Sequence, residues 1–397
     1  MTDFQTTAAI VFLIILTIFV YLKRKKLDTK QVIPYFLYFS MYRTKFGLKL
    51  MDFFAKKYRR IVVYIGYLGI FIGFLGMILI SYGLINNIYV LFTKPEAIPG
   101  VGLVLPFKAK GIFYVPFFYW IISIFVIAVV HEFSHGLIAR ANNLKVKSSG
   151  FAFLGLIVPI IPAAFVEPDE KELRKRPHKE QLSVFAAGPF ANIAIAFLFV
   201  AIASFILAPI ANAIIEPNGV KVTDYVRGKD KLKFPAEIAG IKIGEVIQQV
   251  DNNPTPYVEN LSTSLRSKKP NDIVAIKTDK STYEIKLAKN PENESLAYMG
   301  AYLEQSTKIN ENIKRSYGEF IPNALIWVYG LLVILVVLNF GIGLFNLVPI
   351  GPLDGGRMLQ VALHKIFDKE KGNKYWYYIG MFFLILIFVN LVAGFVR

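Results

Sequence analysis

Two histidines and a glutamate stand in the five-residue pattern His131-Glu132-Phe133-Ser134-His135. On an α-helix, a spacing of four residues brings both imidazole rings to one face about one turn apart, where two ring nitrogens can bind one zinc ion. Glu132 then lies beside the pair and is suited to accept a proton from an activated water rather than to bind the metal. The pattern therefore predicts a hydrolytic zinc site.

A structural interpretation of the same residues stays open beside this one. The histidines could be hydrogen-bonded packing residues and Glu132 a charge at a helix end. Ionisable groups inside an apolar helix are costly, however, and this favours a functional role. The other two histidines, His178 and His364, lie in polar basic segments and are interpreted as surface residues.

Two histidines leave a hydrolytic zinc ion one protein ligand short. The chain has no cysteine, so the remaining ligand must be a carboxylate or another histidine. The best candidate is Asp354, which follows Pro349 and Pro352 at the end of an apolar stretch. Proline and glycine there bend the chain and expose backbone polar groups, as a binding site requires. The alternative is a turn aspartate that leads the chain out of the membrane.

The composition places these residues in a membrane protein. Of the 397 residues, 55% are hydrophobic and 18% are charged, and the mean hydropathy is +0.48, which is too apolar for an ordinary soluble enzyme. The net charge is +17. Twelve basic and two acidic residues lie between Lys23 and Arg60, directly after the apolar stretch from Ala8 to Leu22. This is the positive-inside pattern and argues against a nucleic-acid partner.

A helix needs about 20 apolar residues to cross about 30 Å of hydrocarbon. The sequence predicts six spans of this kind, near residues 6–22, 61–92, 111–139, 182–214, 321–349 and 375–396. The basic segments at 23–60, at 171–179 and after Arg357 are assigned to the cytoplasmic side. With six spans, both termini and the region from about 216 to 316 are then predicted to be extracytoplasmic, and His131 and Asp354 lie near the cytoplasmic ends of their spans.

Two further segments do not fit a spanning helix. Residues 149–166 are apolar but short and contain two glycines and two prolines, which favours a re-entrant or hairpin segment with a strand edge free to pair with a peptide. A buried loop that packs helices is the equally weighted alternative. Residues 216–303 are rich in lysine, with alternating apolar stretches between turns, and predict a small β-rich domain.

The fold class is thus a polytopic α-helical membrane protein of about six transmembrane helices, with a re-entrant or β segment and one inserted extracytoplasmic α+β domain. The predicted domains are an N-terminal membrane region with a basic cytoplasmic loop, two parts of the membrane core around the inserted domain and a linker, and a C-terminal loop with the last span. Their bounds are 1–110 (loop 23–60), 111–215, 216–303, 304–320, 321–356 and 357–397.

These motifs together resemble the site-2 protease family of intramembrane zinc metalloproteases. The family carries H-E-x-x-H in one transmembrane helix and N-x-x-P-x-x-x-L-D-G in a later one, and both are complete here at His131–His135 and Asn346–Gly355. The stretch Gly188-Pro189-Phe190-Ala191-Asn192 is similar to the G-P-x-x-N element of the family's middle core helix. The resemblance covers residues 111–356 and implies a three-helix catalytic core formed by spans three, four and five.

The resemblance implies one Zn²⁺ per chain, with His131, His135 and Asp354 as ligands and Glu132 as the general base. It also implies that Asn346 contacts the substrate or its oxyanion. For Asn192 two roles stay open, which are positioning of the substrate strand and packing between helices.

Residues 235–247 resemble a PDZ pattern, P-A-x-x-A-G-[LI]-x-x-G-[DE]-x-I, which the family often carries between core spans four and five. Physically the pattern describes a short helix that ends at a glycine, then a turn and a strand. No obvious carboxylate-binding loop of the G-L-G-F type is present in the sequence. This domain could therefore bind a peptide by strand addition or exclude bulky substrates.

The function implied by the resemblance is hydrolysis of peptide bonds in or near transmembrane segments of membrane proteins, with single-pass proteins as substrates. Two other classes stay open, a metal or ion transporter that uses the His/His/Asp site and a non-catalytic membrane adaptor. Against transport, no repeated helix pair is evident. The segment 23–60 interleaves aromatic residues with basic ones, which favours contact with the bilayer and its anionic lipids. The sequence does not indicate an oligomeric state.

Overall fold

The computed structural model describes residues 4–33, 37–94, 97–155, 159–226, 233–291 and 293–396. The chain forms two compact units. The membrane unit consists of Met1–Ala203 and Gly330–Arg397, and the inserted unit consists of Ser204–Tyr329.

The helices and strands carry the following labels in chain order. The helices are α1 (Phe4–Lys23), α2 (Leu48–Lys57), α3 (Arg59–Thr93), α4 (Phe117–Ala141), α5 (Glu170–Leu173), α6 (His178–Ile202), α7 (Ala208–Ile214), α8 (Pro235–Ile238), α9 (Val258–Arg266), α10 (Glu311–Tyr317), α11 (Phe320–Phe345), α12 (Asp354–Ile366) and α13 (Lys369–Val396). The strands are β1 (Leu27–Ile33), β2 (Leu37–Thr44), β3 (Leu103–Leu105), β4 (Ile112–Tyr114), β5 (Val146–Gly155), β6 (Pro159–Pro168), β7 (Ile215–Tyr225), β8 (Val246–Val250), β9 (Asn253–Pro254), β10 (Ile273–Thr278), β11 (Thr282–Lys286), β12 (Ala288–Lys289), β13 (Ala297–Tyr298) and β14 (Ala301–Ile309).

The predicted number of membrane-length helices agrees with the structure. Six helical stretches among the described residues are long and apolar enough to cross a bilayer, and they follow the predicted order along the chain. The third begins at Phe117 rather than 111, because residues 112–114 form a short strand and Pro116 precedes the helix. The fifth ends at Phe345 rather than 349, because Pro349 and Pro352 cannot continue a helix.

The segment 23–60, predicted as a basic loop, is instead structured. It contains β1, β2 and α2, and the two strands belong to a four-stranded antiparallel sheet of order β1-β2-β5-β6. These strands were not predicted because β2 pairs with β5, more than 100 residues away, and this pairing leaves no signal in the local sequence. The predicted segment 149–166 forms the hairpin of β5 and β6, with residues 156–158 outside the described part. The hairpin alternative is therefore the correct one.

Helix α3 packs against the helices that carry the site through a face of small residues. Four of its glycines recur at intervals of three and four residues and are buried, so that neighbouring side chains lie directly against the helix backbone. These glycines and their neighbours are Gly66 with Ile138 and Ser183, Gly69 with Phe190, Gly73 with Met358, and Gly76 with Leu347. The second span therefore packs on α4, α6 and the chain around Asp354.

The inserted unit is an α+β fold, as its sequence predicts. Strands β11, β10, β8, β7 and β14 form one sheet in this order, and β9 pairs with β8. Residues 235–247 follow the predicted course: α8 is followed by Gly240 at a φ of +82°, where glycine is favoured, and then by a turn and β8. The core consists of buried aliphatic side chains, including Val220, Ile241, Ile247, Leu261, Ile276 and Ile285.

The predicted boundary between this unit and its linker at residue 303 is wrong. Strand β14 continues to Ile309 and pairs with β7 over its whole length, from Ala301 opposite Tyr225 to Ile309 opposite Ile215. Residues 304–308 are all polar and lack the alternation that marks a strand. Their partner lies about 90 residues earlier in the chain, so the strand is stabilised by pairing rather than by its own pattern.

Candidate metal centre

His131 and His135 lie on adjacent turns near the end of α4. Their side chains are 12% and 11% exposed, and their Nε2 atoms are 3.1 Å apart. The spacing of four residues along the helix places both rings on one face, as predicted, and this face packs against α6. Nδ1 of His135 lies 2.7 Å from the carbonyl oxygen of Val184 on that helix.

Asp354 is brought to the same point by the broken end of α11. Its Oδ2 lies 3.0 Å from Nε2 of His131 and 3.3 Å from Nε2 of His135. After Phe345 the chain turns so tightly that a Cβ on Gly355 would collide with the carbonyl oxygen of Leu347. A glycine is thus required after Asp354 by close backbone contact, and α12 begins at Asp354, next to the candidate metal site.

The three donor atoms fit a zinc ion. All lie within 4.8 Å of one another, and their separations of 3.0, 3.1 and 3.3 Å match the edge of about 3.3 Å that a tetrahedron with bonds of about 2.0 Å requires. Two imidazoles and one carboxylate are a donor set of catalytic zinc sites. Donation from Nδ1–H of His135 to Val184 leaves the lone pair of Nε2 for the metal.

Glu132 lies next to the triad and contacts strand β6. Its Oε2 accepts a hydrogen bond of 2.8 Å from the backbone N–H of Val166. Glu132 and the triad line one cavity of about 570 Å³, together with residues of β6, α5, α6 and the turn before α12. A carboxylate held at the wall of a polar cavity beside three metal-binding atoms is suited to general base chemistry.

The lining of the cavity includes charged side chains. Lys147, Glu167 and Arg357 line it. A hydrogen bond from Ser148 Oγ lowers the pKa of the Glu167 carboxyl below its ordinary value, and Arg43 adds a second hydrogen bond and its positive charge. Glu167 is therefore ionised at neutral pH, and its bond to Arg43 ties the end of β6 to β2.

The family model of peptidase family M50 matches residues 119–387, which is more than half of the chain. The chain belongs to peptidase family M50. The resemblance to site-2 proteases is thereby confirmed. At the level of the family, this M50 protein is a zinc-dependent metalloprotease with several membrane-spanning helices.

Two relatives of this M50 protein match most of its length. An uncharacterised protein of Methanocaldococcus jannaschii is 26% identical over 358 residues, which are 89% of this chain and 84% of that protein. A protein of Fusobacterium nucleatum subsp. nucleatum, whose name classes it provisionally as a zinc metalloprotease, is 27% identical over 303 residues, or 66% of this chain and 88% of that protein.

Among solved structures, the PDZ domain of an SdrC-like protein from Listeria monocytogenes matches 24% of this chain and 90% of that domain. The sequence identity is 21% and the TM-score is 0.18. A score this low supports no structural argument.

The two asparagines of the M50 motifs lie at different places. Asn346 lines the cavity, and its Nδ2 donates to the carbonyl oxygen of Ile342 one turn earlier. Asn192 is fully buried and contacts the ring of His131, with 3.2 Å between Nδ2 and Nδ1. Asn346 is therefore exposed to the cavity, whereas Asn192 lies behind the ring of His131.

Two contacts of the site escape sequence reasoning. Val184 contributes its carbonyl oxygen and Val166 its N–H, and a backbone group leaves no mark on residue type. For the contact of His135 with Val184, the sequence offers one indication, which is that Val184 lies one helical turn before the motif glycine Gly188.

Replacing Gly188 of this M50 protein by alanine should weaken zinc binding at least about tenfold, the lower end of what a change around metal ligands typically costs. A Cβ at this position would collide with Nε2 of both histidines, so at least one ring must move away from the other donors. Competition with a chelator in detergent measures the affinity.

Gly341→Ala is the matched control, because nothing lies within 4 Å of a Cβ there. It should keep the parent's zinc affinity. Parent-like affinity in Gly188→Ala would contradict the geometry described for the two rings.

Proposed function

We propose that this M50 protein is an intramembrane zinc endopeptidase that cleaves peptide bonds in or near transmembrane segments of membrane-protein substrates. The observation that carries this proposal is the meeting of His131, His135 and Asp354 at the end of a membrane-length helix, with Glu132 bound to the edge of a β-sheet in the same cavity.

In this mechanism His131, His135 and Asp354 would hold the zinc ion. When bound, zinc polarises a carbonyl group and brings the pKa of water to about 7. Glu132 takes a proton from the attacking water and delivers it to the leaving amine. Asn346, at the cavity wall, donates its amide to the substrate carbonyl.

Strand β6 offers the place where an unwound substrate would bind. A transmembrane helix hides its carbonyl groups in hydrogen bonds between residues i and i+4, so the substrate must be extended before attack. Strand β6 is at the end of its sheet in the described residues, and Val166 directs its N–H away from β5. Along a strand, the backbone N–H groups point alternately to its two edges. Ala164 lies two residues before Val166, so its N–H points to the same edge.

Replacing Ala164 by proline should lower kcat/KM for a transmembrane substrate about 3- to 10-fold, the value of one lost hydrogen bond. Proline removes the N–H at the free edge but no bond to β5, and Pro162 already occupies an equivalent edge position. Zinc content should equal that of the parent.

Ala163→Pro is the comparison variant, since its N–H faces β5 and its loss should destabilise the sheet. Unchanged kcat/KM in Ala164→Pro at parent-like thermal stability would contradict binding by strand addition.

The proposed orientation places the zinc site toward the cytoplasm and the inserted unit and both termini outside. It is supported by the basic segments 23–60 and 171–179, which lie between spans on one side. Single-pass membrane proteins are the proposed substrates. For the segment 23–60, now seen as two strands and a helix, contact with anionic lipid headgroups remains part of the proposal, since α2 carries basic and apolar residues on different faces.

The test is a joint measurement of zinc content and proteolysis. The protein is purified in detergent, its zinc is counted per chain, and it is incubated with several single-pass reporter substrates. About one zinc per chain together with cleavage within or next to the transmembrane segment supports the proposal. Bound zinc without cleavage of any substrate would favour transport or an adaptor role instead.

A further inference from the structure

The amide of Asn192 lies between α4 and α11 in the interior of the membrane unit. Asn192 is 0% exposed. It packs closely on α11, since a Cβ added to Gly343 would lie 3.2 Å from the Cβ of Asn192, and its side chain therefore has little room to move. Nδ2 faces Nδ1 of His131 at 3.2 Å. The carbonyl atom Oδ1 is buried and has no hydrogen-bond partner among the described residues.

This orientation of the amide conflicts with metal binding. If Nδ2 donates to Nδ1 of His131, the ring must carry its proton on Nε2, the atom that faces Asp354 and His135. A neutral imidazole that binds zinc through Nε2 carries its proton on Nδ1 instead, and that N–H needs an acceptor. The same orientation leaves a carbonyl oxygen unsatisfied in an apolar interior, which costs free energy.

Reversing the amide removes both conflicts. Amide nitrogen and oxygen have nearly the same shape, so hydrogen bonding decides between the two orientations. With the groups exchanged, Oδ1 accepts from Nδ1–H of His131 and is satisfied. We infer that Asn192 is a positioning residue for zinc, which holds His131 in the tautomer whose Nε2 lone pair binds the metal. The inference rests on the proposed zinc peptidase function.

Helix α6 then serves both ligand histidines in the same way. Val184, Gly188 and Asn192 are spaced by four residues and lie on one face of the helix. The carbonyl oxygen of Val184 faces Nδ1 of His135, Asn192 faces Nδ1 of His131, and Gly188 leaves space for the two rings between them. Both rings are thus oriented from behind by acceptors of one helix.

The chain contains a matched control for this residue. Asn339 in α11 is also 0% exposed, its Nδ2 donates to the carbonyl oxygen of Leu335, and its Oδ1 likewise has no hydrogen-bond partner in the described part of the chain. It belongs to none of the contacts of the metal triad described above. Loss of a buried asparagine in the membrane interior can therefore be separated from loss of the contact with His131.

The experiment measures zinc affinity of the metal-free full-length protein in detergent, by competition with a chelator, for the parent, Asn192→Leu, Asn192→Asp and Asn339→Leu. Asn192→Leu should bind zinc about 10- to 100-fold more weakly, the usual effect of removing a partner behind a metal ligand. Asn192→Asp keeps an acceptor but cannot donate as a carboxylate, and it should bind at least as tightly as the parent. Asn339→Leu should match the parent.

Equal weakening in Asn192→Asp and Asn192→Leu would overturn the inference, since it would show that a donor is needed. Parent-like affinity in Asn192→Leu, or equal weakening in Asn339→Leu, would also overturn it. Thermal unfolding of the metal-free variants checks the fold, and if Asn192→Leu does not fold, Asn192→Asp decides alone. A parent that binds no zinc would overturn the proposed function itself, whereas the other outcomes concern only Asn192.

Discussion

Replacing Glu132 by glutamine should abolish peptide cleavage and leave the zinc content unchanged. Glutamine cannot take up a proton from water, and loss of a general base typically lowers kcat about 10²- to 10⁴-fold. The amide oxygen of glutamine can still accept the hydrogen bond from Val166 that Glu132 accepts at 2.8 Å, so the site should keep its shape. Zinc per chain and cleavage of a single-pass reporter are measured on the same preparation.

Glu172→Gln is the matched control for this change. Glu172 is a carboxylate of the membrane unit that pairs with Arg176, outside the catalytic residues, and its loss should leave cleavage within a few-fold of the parent. Cleavage by Glu132→Gln at the parent's rate would show that another group acts as the base. Loss of zinc from Glu132→Gln would show that Glu132 supports the metal and not only the proton transfer.

Replacing Asp354 by alanine should weaken zinc binding more than about 100-fold, beyond the range seen when only a partner of a ligand is removed. Its Oδ2 is the one carboxylate oxygen in the group of three donor atoms, and two imidazoles alone leave a catalytic zinc ion below its usual three protein ligands. Cleavage should fall in proportion to the zinc that is lost. Chelator competition and cleavage in the presence of added zinc measure both effects.

Asp368→Ala is the matched control, which separates the loss of a metal ligand from the loss of an aspartate at the start of a helix. Asp368 also stands at the start of a helix, where its Oδ1 accepts from the N–H of Lys371 at 2.9 Å. Its loss should cost about 1 kcal/mol of stability through the missing cap, with zinc affinity unchanged. If Asp354→Ala kept the parent's affinity, a ligand other than Asp354 would have to complete the site.

The spans and the side chains of the candidate metal site could be predicted from the sequence, although His131 and His135 follow from local spacing and Asp354 does not. A run of apolar residues long enough to cross the bilayer is a local property, and so is the helical spacing that places His131 and His135 on one face. The break at Pro349 and Pro352 is local as well. For this reason the number of spans and the helix that carries the histidines agree between sequence and structure. The choice of Asp354 as a partner depended on the depth of two separate spans and on the family motif.

Three strands, two in the sheet beside the site and one in the sheet of the inserted unit, were decided only by the tertiary structure. β1 and β2 lie in a segment whose charges suggested a loop, and β14 is too polar to show a strand pattern. β2 pairs with β5 and β14 pairs with β7, both far away in the chain, and β1 is added to the sheet by pairing with β2. The partners of the site residues are also tertiary: the backbone groups of Val184 and Val166 reach His135 and Glu132 across helix and strand contacts.

The sequence by itself thus determined which side chains can bind a metal or transfer a proton, and which stretches are apolar and long enough to cross a membrane. The tertiary structure decided how these groups are oriented, because hydrogen bonds to backbone atoms and pairing between strands depend on which distant segments meet. Neither depends on the type of the neighbouring residue along the chain, and neither can be read from its periodicity.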